Sequence, residues 1–121
     1  MRVTRVARCL LLFSLVAISW LSVIRIEQQP QIPHIDKLEH LAAFCWLAAC
    51  AYLAYRAHTR LSMVALAAYG FAIECIQGWL PWREFSWLDW SADVAGLLLF
   101  LAAARAWASY AAQRSSHREG V

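Results

Sequence analysis

The chain has 121 residues, of which 62% are hydrophobic and 16% are charged, and its formal net charge is +3. Soluble domains average about 45–50% apolar and about 25% charged residues, so this composition excludes an ordinary soluble domain. The basic residues stand at the ends of apolar runs and not along one face, which excludes a nucleic-acid interface.

Four apolar runs follow one another along the chain, at about residues 9–26, 38–55, 61–80 and 90–110. Each run is near the length of about 20 residues that a helix needs to cross about 30 Å of hydrocarbon. The runs are too long for barrel strands, and helices satisfy their own backbone hydrogen bonds in lipid. The sequence therefore predicts an all-α fold. We expect an integral membrane four-helix bundle with short connections, formed by a single transmembrane domain over residues 1–121.

The first run has a second interpretation as a signal peptide. Arg2, Arg5 and Arg8 precede it, as basic residues precede the apolar core of such a peptide. No small-x-small cleavage site stands near the end of the run, where Trp20-Leu-Ser-Val-Ile24 is found. A retained membrane span is therefore the favoured interpretation.

The distribution of basic residues predicts the orientation of the spans. Eight of them fall at the N-terminus, in the second connection and near the C-terminus, whereas three fall in the first and third connections. By the positive-inside rule, this bias predicts that both termini lie in the cytoplasm. The polar tail after Tyr110 is expected to fray.

Tryptophans cluster around the third connection, where that connection is predicted to meet the outer membrane surface. The cluster consists of Trp79, Trp82, Trp87 and Trp90. One interpretation is an aromatic belt that anchors the helices at the interface, and the other is a stacking surface for a sugar. The belt is favoured, because tryptophan is generally enriched at membrane interfaces.

Polar side chains outside the inner-surface arginines and the tail all fall at the predicted outer ends of their helices, although the helices alternate in direction. They are Asp36, Lys37, His40, Glu74, Gln77, Arg83, Ser86, Asp89 and Asp93. Residues three or four apart share one helix face, as Asp36 and His40 do, and as Glu74 and Gln77 do. The pattern predicts an outward-facing polar pocket, and these residues are its candidate ligand-binding residues.

Several of these residues also have a purely structural interpretation. Asp36 and Ser86 each fit a helix N-cap, with an acidic residue three positions later to complete a capping box. Lys37 and Arg83 fit long basic chains that reach lipid phosphates from helix ends. His40 fits a hydrogen bond between two membrane helices.

Glu74 is the residue that needs the most explanation. It precedes Leu80 by six positions, so it lies roughly 9 Å inside its apolar run at about 1.5 Å per residue. An acidic group at that depth costs a few kcal/mol on insertion scales and faces the bundle interior. We expect Glu74 to form the floor of the pocket and Arg83 its rim, close enough to offset the buried charge. The alternative is a structural hydrogen bond between helices.

The same residues resemble the signatures of the VanZ-like family. The first signature, Asp-Lys-x-x-His, matches Asp36-Lys-Leu-Glu-His40. The second runs from Glu74-Cys-Ile-Gln77 through Arg83, Ser86 and Asp89 to Gly96. The order and spacing agree over residues 36–96, but Asp93 stands where the family usually has Asn. Members are small multi-span membrane proteins, and the founding member is linked to low-level resistance to the glycopeptide teicoplanin.

This resemblance implies a protein of the bacterial inner membrane that acts on or binds a component of the cell envelope. The expected partners are membrane lipids and a lipid-linked cell-wall intermediate or a glycopeptide, and a homo-oligomer is also open. The leading function is binding of a lipid headgroup. The alternatives are an intramembrane hydrolase or transferase for a phospho-linked headgroup and a proton-linked transporter.

The enzyme alternative has three candidate catalytic residues, which are His40, Glu74 and Asp93. His40 would act as a general base, with one of the carboxylates orienting it or acting as an acid. No compact ligand spacing such as His-Glu-x-x-His is present, so no metal site and no cofactor are predicted.

Overall fold

The computed structural model describes residues 1–25, 32 and 34–119, and these residues form four α-helices and one short 3₁₀ helix. The α-helices are α1 (Arg2–Val23), α2 (Ile35–Ala54), α3 (Thr59–Trp79) and α4 (Trp87–Glu119). The 3₁₀ helix, Arg56–His58, connects α2 to α3. No strand is present among the described residues, so the predicted helical bundle is confirmed.

Three helical segments are long and apolar enough to cross a membrane, namely Arg2–Val23, Arg56–Trp79 and Trp87–Arg118. Their outer faces keep large apolar side chains exposed, such as Phe13 on α1 and Leu98 on α4. Extended apolar surface of this kind is rare on soluble monomers and is suited to lipid. The remaining helix, α2, has a similar length but carries charged residues in its first turn. That α2 crosses the membrane stays a prediction.

The core surrounds α2, which packs against each of the other three α-helices. Phe44, Leu47 and Ala48 on α2 are buried against Leu66 of α3 and Leu97 of α4. In lipid, helices associate through close van der Waals contact, because lipid tails are as apolar as the side chains they replace. The acidic residues near its start, Asp36 and Glu39, are exposed, so the buried part of α2 begins further along the helix, at Phe44.

The closest approach between α2 and α4 occurs at Gly96. A Cβ atom at this position would overlap the carbonyl oxygen of Leu41 and lie 3.0 Å from the backbone nitrogen of Cys45. Small residues at such crossings let membrane helices pack backbone against backbone. Gly96 therefore sets the distance between the two helices whose N-terminal ends carry His40 and Asp93.

Helix boundaries follow local signals with two exceptions. Ser86 caps α4, because its Oγ accepts a hydrogen bond from the Asp89 amide at 3.2 Å. The same prediction for Asp36 is wrong: the cap lies two residues earlier, at His34, which has a left-handed φ of 66° and no side-chain cap hydrogen bond among the described residues. Asp36 instead lies in the first turn, where an acidic group still favours the helix dipole.

The second exception is the C-terminal tail. The tail was expected to fray after Tyr110, but α4 continues to Glu119. Alanine, glutamine and arginine follow Tyr110, and all three are strong helix formers. His117 and Arg118 occupy the last turn, where positive charge complements the helix dipole.

Candidate functional site

The predicted polar residues meet at one end of the bundle. At this end, called the polar end below, residues 21–23 of α1, 36–40 of α2, 74–79 of α3 and 83–93 around the start of α4 come together. Hydrogen bonds join α2 to α4, α3 to the start of α4, and α3 to α1. Sequence spacing predicted this convergence from shared faces, and the structure supplies the partners.

His40 and Asp93 form the link between α2 and α4. His40 Nδ1 lies 2.8 Å from Asp93 Oδ1 in a hydrogen bond, and the Asp93 side chain is fully buried. The other carboxylate oxygen, Oδ2, has no hydrogen-bond partner in the part of the chain that the structure describes, and it would lie 2.6 Å from a Cβ at Gly70. The missing side chain at Gly70 therefore makes room for the Asp93 carboxylate.

Glu74 is fully buried near the C-terminal end of α3. Its Oε2 accepts a hydrogen bond from the backbone N–H of Ser86 at 3.0 Å, and its Oε1 has no hydrogen-bond partner among the described residues. In a capping box, the acidic residue three positions after the cap would accept this N–H. Here Glu74, which lies on α3, accepts the Ser86 N–H in place of Asp89. The carboxylate of Asp89 is therefore available for other contacts.

Lys37 takes up one of those contacts. Its Nζ lies 3.3 Å from Asp89 Oδ1 and 3.1 Å from Asp36 Oδ2. The hydrogen bond to Lys37 lowers the pKa of Asp36, and the same bond raises the pKa of Lys37. Lys37 thus neutralises part of the carboxylate charge at the N-terminal ends of α2 and α4.

Gln77, Trp82 and Arg83 have a structural role that sequence spacing did not predict. Their side chains donate to the carbonyls of residues 22, 23 and 21 at 3.1, 3.2 and 3.4 Å. The carbonyl of residue 20 accepts the amide of residue 24. All four C-terminal carbonyls of α1, which lack partners inside the helix, are therefore satisfied.

The expected pairing of Arg83 with Glu74 is absent from the described residues. No ion pair joins the two side chains there, and Ser86 provides the hydrogen bond to the carboxylate. The physical reason is that Arg83 turns toward the open carbonyls at the end of α1. Gln77 likewise turns toward α1, where its side-chain amide donates to the Ser22 carbonyl.

A pocket of about 1030 Å³ lies beneath the connection between α3 and α4. This volume is at the upper end of the range of about 300–1,000 Å³ for ligand sites. Its polar and charged lining comes from all four helices and the connection. These residues are Ser22, Asp36, Glu39, His40, Gln77, Arg83, Glu84, Ser86 and Asp89. Glu39 and Glu84 were not among the predicted site residues, because acidic residues near helix ends are common.

The tryptophans of the third connection divide into two groups. Trp87 and Trp90 pack edge-on against each other, and Trp90 also packs edge-on against Phe71 and donates to the Ala67 carbonyl. Trp79 is 90% exposed, as expected for an anchor in the interfacial belt. The packing of Trp87 and Trp90 explains part of the cluster without a sugar.

One set of side chains has the composition of a metal site. A ligand atom from each of His40, Glu74 and Asp89 lies within 4.8 Å of the other two. Three different helices contribute these residues, which is why no compact spacing in the sequence indicated them. Imidazole and carboxylate groups together suit divalent transition metals.

Comparison of the chain with known protein families, with curated proteins and with solved structures finds no match in any of the three.

Proposed function

We propose that this protein is a VanZ-like protein of the bacterial inner membrane that binds the polar headgroup of an envelope lipid or a lipid-linked cell-wall intermediate. The observation that carries the proposal is the pocket at the polar end, which joins charged side chains of both signs to a bundle with an apolar exterior. A lipid needs this combination, because its headgroup is polar and its chains must stay in hydrocarbon.

The buried carboxylates support a site over a purely structural cluster. Glu74 and Asp93 are fully buried, yet one carboxylate oxygen of each has no hydrogen-bond partner within residues 1–25, 32 and 34–119. Buried polar atoms are usually satisfied in proteins, and groups that are not satisfied often serve a function. A tie between helices would be expected to use both oxygens.

Arg83 is the residue best suited to contact a phosphate in this pocket. It lines the pocket, and a single contact of 3.4 Å to the Leu21 carbonyl uses only part of its donor capacity. The guanidinium carries five N–H donors, so a bidentate phosphate contact is compatible with that bond.

The one position at which the chain departs from the VanZ-like signatures, residue 93, is compatible with the resemblance. Asp93 stands where the family usually has Asn, and its Oδ1 contacts His40 Nδ1. An Asn side chain carries an equivalent carbonyl oxygen, so it would accept the same hydrogen bond from a protonated Nδ1. The substitution thus changes the charge of the site and preserves the contact.

The hydrogen bond between His40 and Asp93 favours a second function, an intramembrane hydrolase or transferase for a phospho-linked headgroup. A carboxylate that binds one imidazole nitrogen orients the other as a general base. His40 also lines the pocket. Under this proposal, His40→Gln keeps headgroup binding and abolishes turnover, whereas the binding function alone predicts no turnover to lose.

Lipid analysis of the purified protein tests the leading proposal. We expect one class of phosphate-bearing lipid to be enriched with the wild type and reduced at least tenfold with Glu74→Gln and with Arg83→Ala. Arg60→Ala, which removes an exposed arginine at the start of α3, is the matched control and should retain the lipid. Equal recovery from wild type and both site variants would refute the proposal.

Orientation needs a separate measurement. We propose that both termini lie in the cytoplasm, so that the polar end faces the outer leaflet. Reporter fusions at residue 31 and after residue 119 should report outside and inside, respectively. Labelling of a C-terminal reporter from outside the cell would show that the pocket faces the cytoplasm, and it would rule out an outer-leaflet ligand.

A further inference from the structure

Acidic groups outnumber basic groups around the pocket at the polar end. Asp36, Glu39, Glu84 and Asp89 line it, and Arg83 is the only arginine or lysine among its described lining residues. Glu74 and Asp93 add two buried carboxyl groups behind this lining. A phosphate would be repelled by this excess unless a cation accompanied it.

Three of the acceptors in this region are already arranged as ligands. His40, Glu74 and Asp89 each place one ligand atom within 4.8 Å of the others. The ligands of one tetrahedral ion with bonds of about 2.1 Å lie about 3.4 Å apart, so small rotations of the side chains complete the set. Each residue comes from a different helix, and these helices are held at their distance by the close packing of the bundle.

Glu74 provides an independent sign that something binds there. Its carboxylate is fully buried, its Oε2 accepts a hydrogen bond from the Ser86 amide, and no described residue donates a hydrogen bond to its Oε1. Asp89 Oδ1 is also buried without a hydrogen bond from the described residues, although the Lys37 Nζ lies 3.3 Å away as an ion-pair partner. Buried carboxylate oxygens are strongly destabilised unless a donor or a cation faces them.

His40 has the orientation typical of a metal ligand. Its Nδ1 is engaged by Asp93 Oδ1 at 2.8 Å, which leaves Nε2 as the nitrogen that can bind an ion. Histidines that bind metals nearly always use their other nitrogen to contact a carboxylate or carbonyl, which fixes the tautomer and raises the basicity of the ligand. Asp93 would therefore act as a positioning residue.

We propose that His40, Glu74 and Asp89 bind a divalent transition-metal ion, Zn²⁺ or Mn²⁺, at the inner wall of the pocket. The proposal rests on the proposed function, since the ion supplies the positive charge with which an acidic pocket holds a phosphate. The remaining coordination position faces the ligand, as in metal sites with three protein ligands. When the ion binds Asp89, Lys37 gives up its contact with Asp89 and keeps its contact with Asp36.

Calorimetric titration of the full-length protein in detergent with Zn²⁺, and separately with Mn²⁺, tests the site. We expect one equivalent to bind, with affinity lowered by more than about 100-fold in Glu74→Gln and in His40→Gln. Asp93→Asn should weaken binding by about tenfold, because it alters a partner of the ligand and not the ligand itself. His58→Gln, an exposed histidine far along the chain from the site, should bind as the wild type does.

Asp89→Asn is a second test in case the variants at buried positions fail to fold. Asp89 lies in the first turn of α4 and is only partly buried, so its substitution should leave the fold intact. It should keep the helical circular dichroism spectrum and lose the ion. Absence of binding to the wild type, or wild-type affinity in Glu74→Gln and Asp89→Asn, would overturn the metal site.

The two proposals fail in different ways. If the phosphate-bearing lipid stays bound after treatment with a chelator and no ion binds, the metal site is wrong and the binding function stands. If the ion binds and no lipid is enriched, the binding function is wrong and the metal site stands. Ion binding through Nε2 would also exclude His40 as the general base of the second function.

Discussion

The apolar core and the polar end of this bundle both contain fully buried side chains, but their buried atoms have different requirements. Leu47 and Ala48 are fully buried in the core, and Glu74 and Asp93 are fully buried at the polar end. In the core, van der Waals contact satisfies every atom. At the polar end, one oxygen of each carboxylate receives no hydrogen bond from the described residues. Packing alone therefore satisfies the core, whereas the described part of the polar end leaves two buried oxygens without a hydrogen bond.

This difference predicts two kinds of response to mutation. In the core, a substitution acts through volume and lowers stability with no specific loss of binding. At the polar end, a conservative substitution that keeps the shape acts through the partners of a polar atom and changes binding more than stability. The predictions below separate the two, beginning with the largest expected effect on the free energy of unfolding.

Gly96→Val should have the largest effect, because the larger side chain forces α4 away from α2. The added Cβ would overlap the Leu41 carbonyl, and a backbone atom cannot move aside as a flexible side chain can. Overpacking of this kind costs about 3 kcal/mol. Ala95→Val, at the exposed neighbouring position, is the control and should be nearly neutral. Unfolding by titration with a denaturing detergent measures both, and equal stability of the two variants would contradict the close helix crossing.

Leu47→Ala should destabilise the core by about 2 kcal/mol. This value is at the lower end of the range for soluble proteins, because in lipid the side chain loses packing and no transfer from water is involved. Leu53→Ala on the same helix, where the side chain is 39% exposed, should cost much less. If both variants lose the same stability, α2 is not the centre of the bundle.

Ser86→Ala should cost about 1 kcal/mol through loss of the cap on α4. The backbone N–H that contacts Glu74 remains, so the carboxylate keeps its partner and pocket binding should persist. Ser91→Ala, further along α4 at an exposed position, should change stability by less than about 0.5 kcal/mol. Loss of ligand binding in a stable Ser86→Ala protein would show that the hydroxyl contacts the ligand directly.

Asp93→Asn should change stability least, by less than about 1 kcal/mol, because the amide oxygen can accept the same hydrogen bond from His40. Asp93→Ala should cost more, about 1–3 kcal/mol, since it leaves the imidazole without its partner. Nitrogen NMR of His40 should show the same tautomer in wild type and Asp93→Asn. A large loss in Asp93→Asn would mean that the negative charge itself holds His40.

The polar end also shows where spacing in the sequence is informative and where it is not. Periodicity placed the nine polar residues on faces that meet, because residues three and four apart project from the same side of a helix. It could not assign partners across helices. The contact expected between Arg83 and Glu74 is replaced by contacts of Arg83 with the end of α1 and of Glu74 with the Ser86 amide.

Helix caps illustrate the same limit at a smaller scale. Ser86 caps α4 as its sequence predicts, because a serine before a helix can bond the third amide without help from elsewhere. Asp36 does not cap α2, because the chain enters that helix two residues earlier, through the left-handed His34. A local signal decided the first case, and the path of the chain decided the second.

The sequence by itself determined the class of the protein. Apolar runs near the length of a bilayer crossing predict helices, and the placement of polar residues at alternate helix ends predicts one polar end. Both follow from backbone geometry, which depends only on position along the chain. Only the tertiary structure decided that Glu74 receives the Ser86 amide, that Asp93 holds His40, and that His40, Glu74 and Asp89 lie within 4.8 Å of one another. These distances depend on the rotation and separation of packed helices, set by contacts such as that of Gly96 with Leu41, which no single helix encodes.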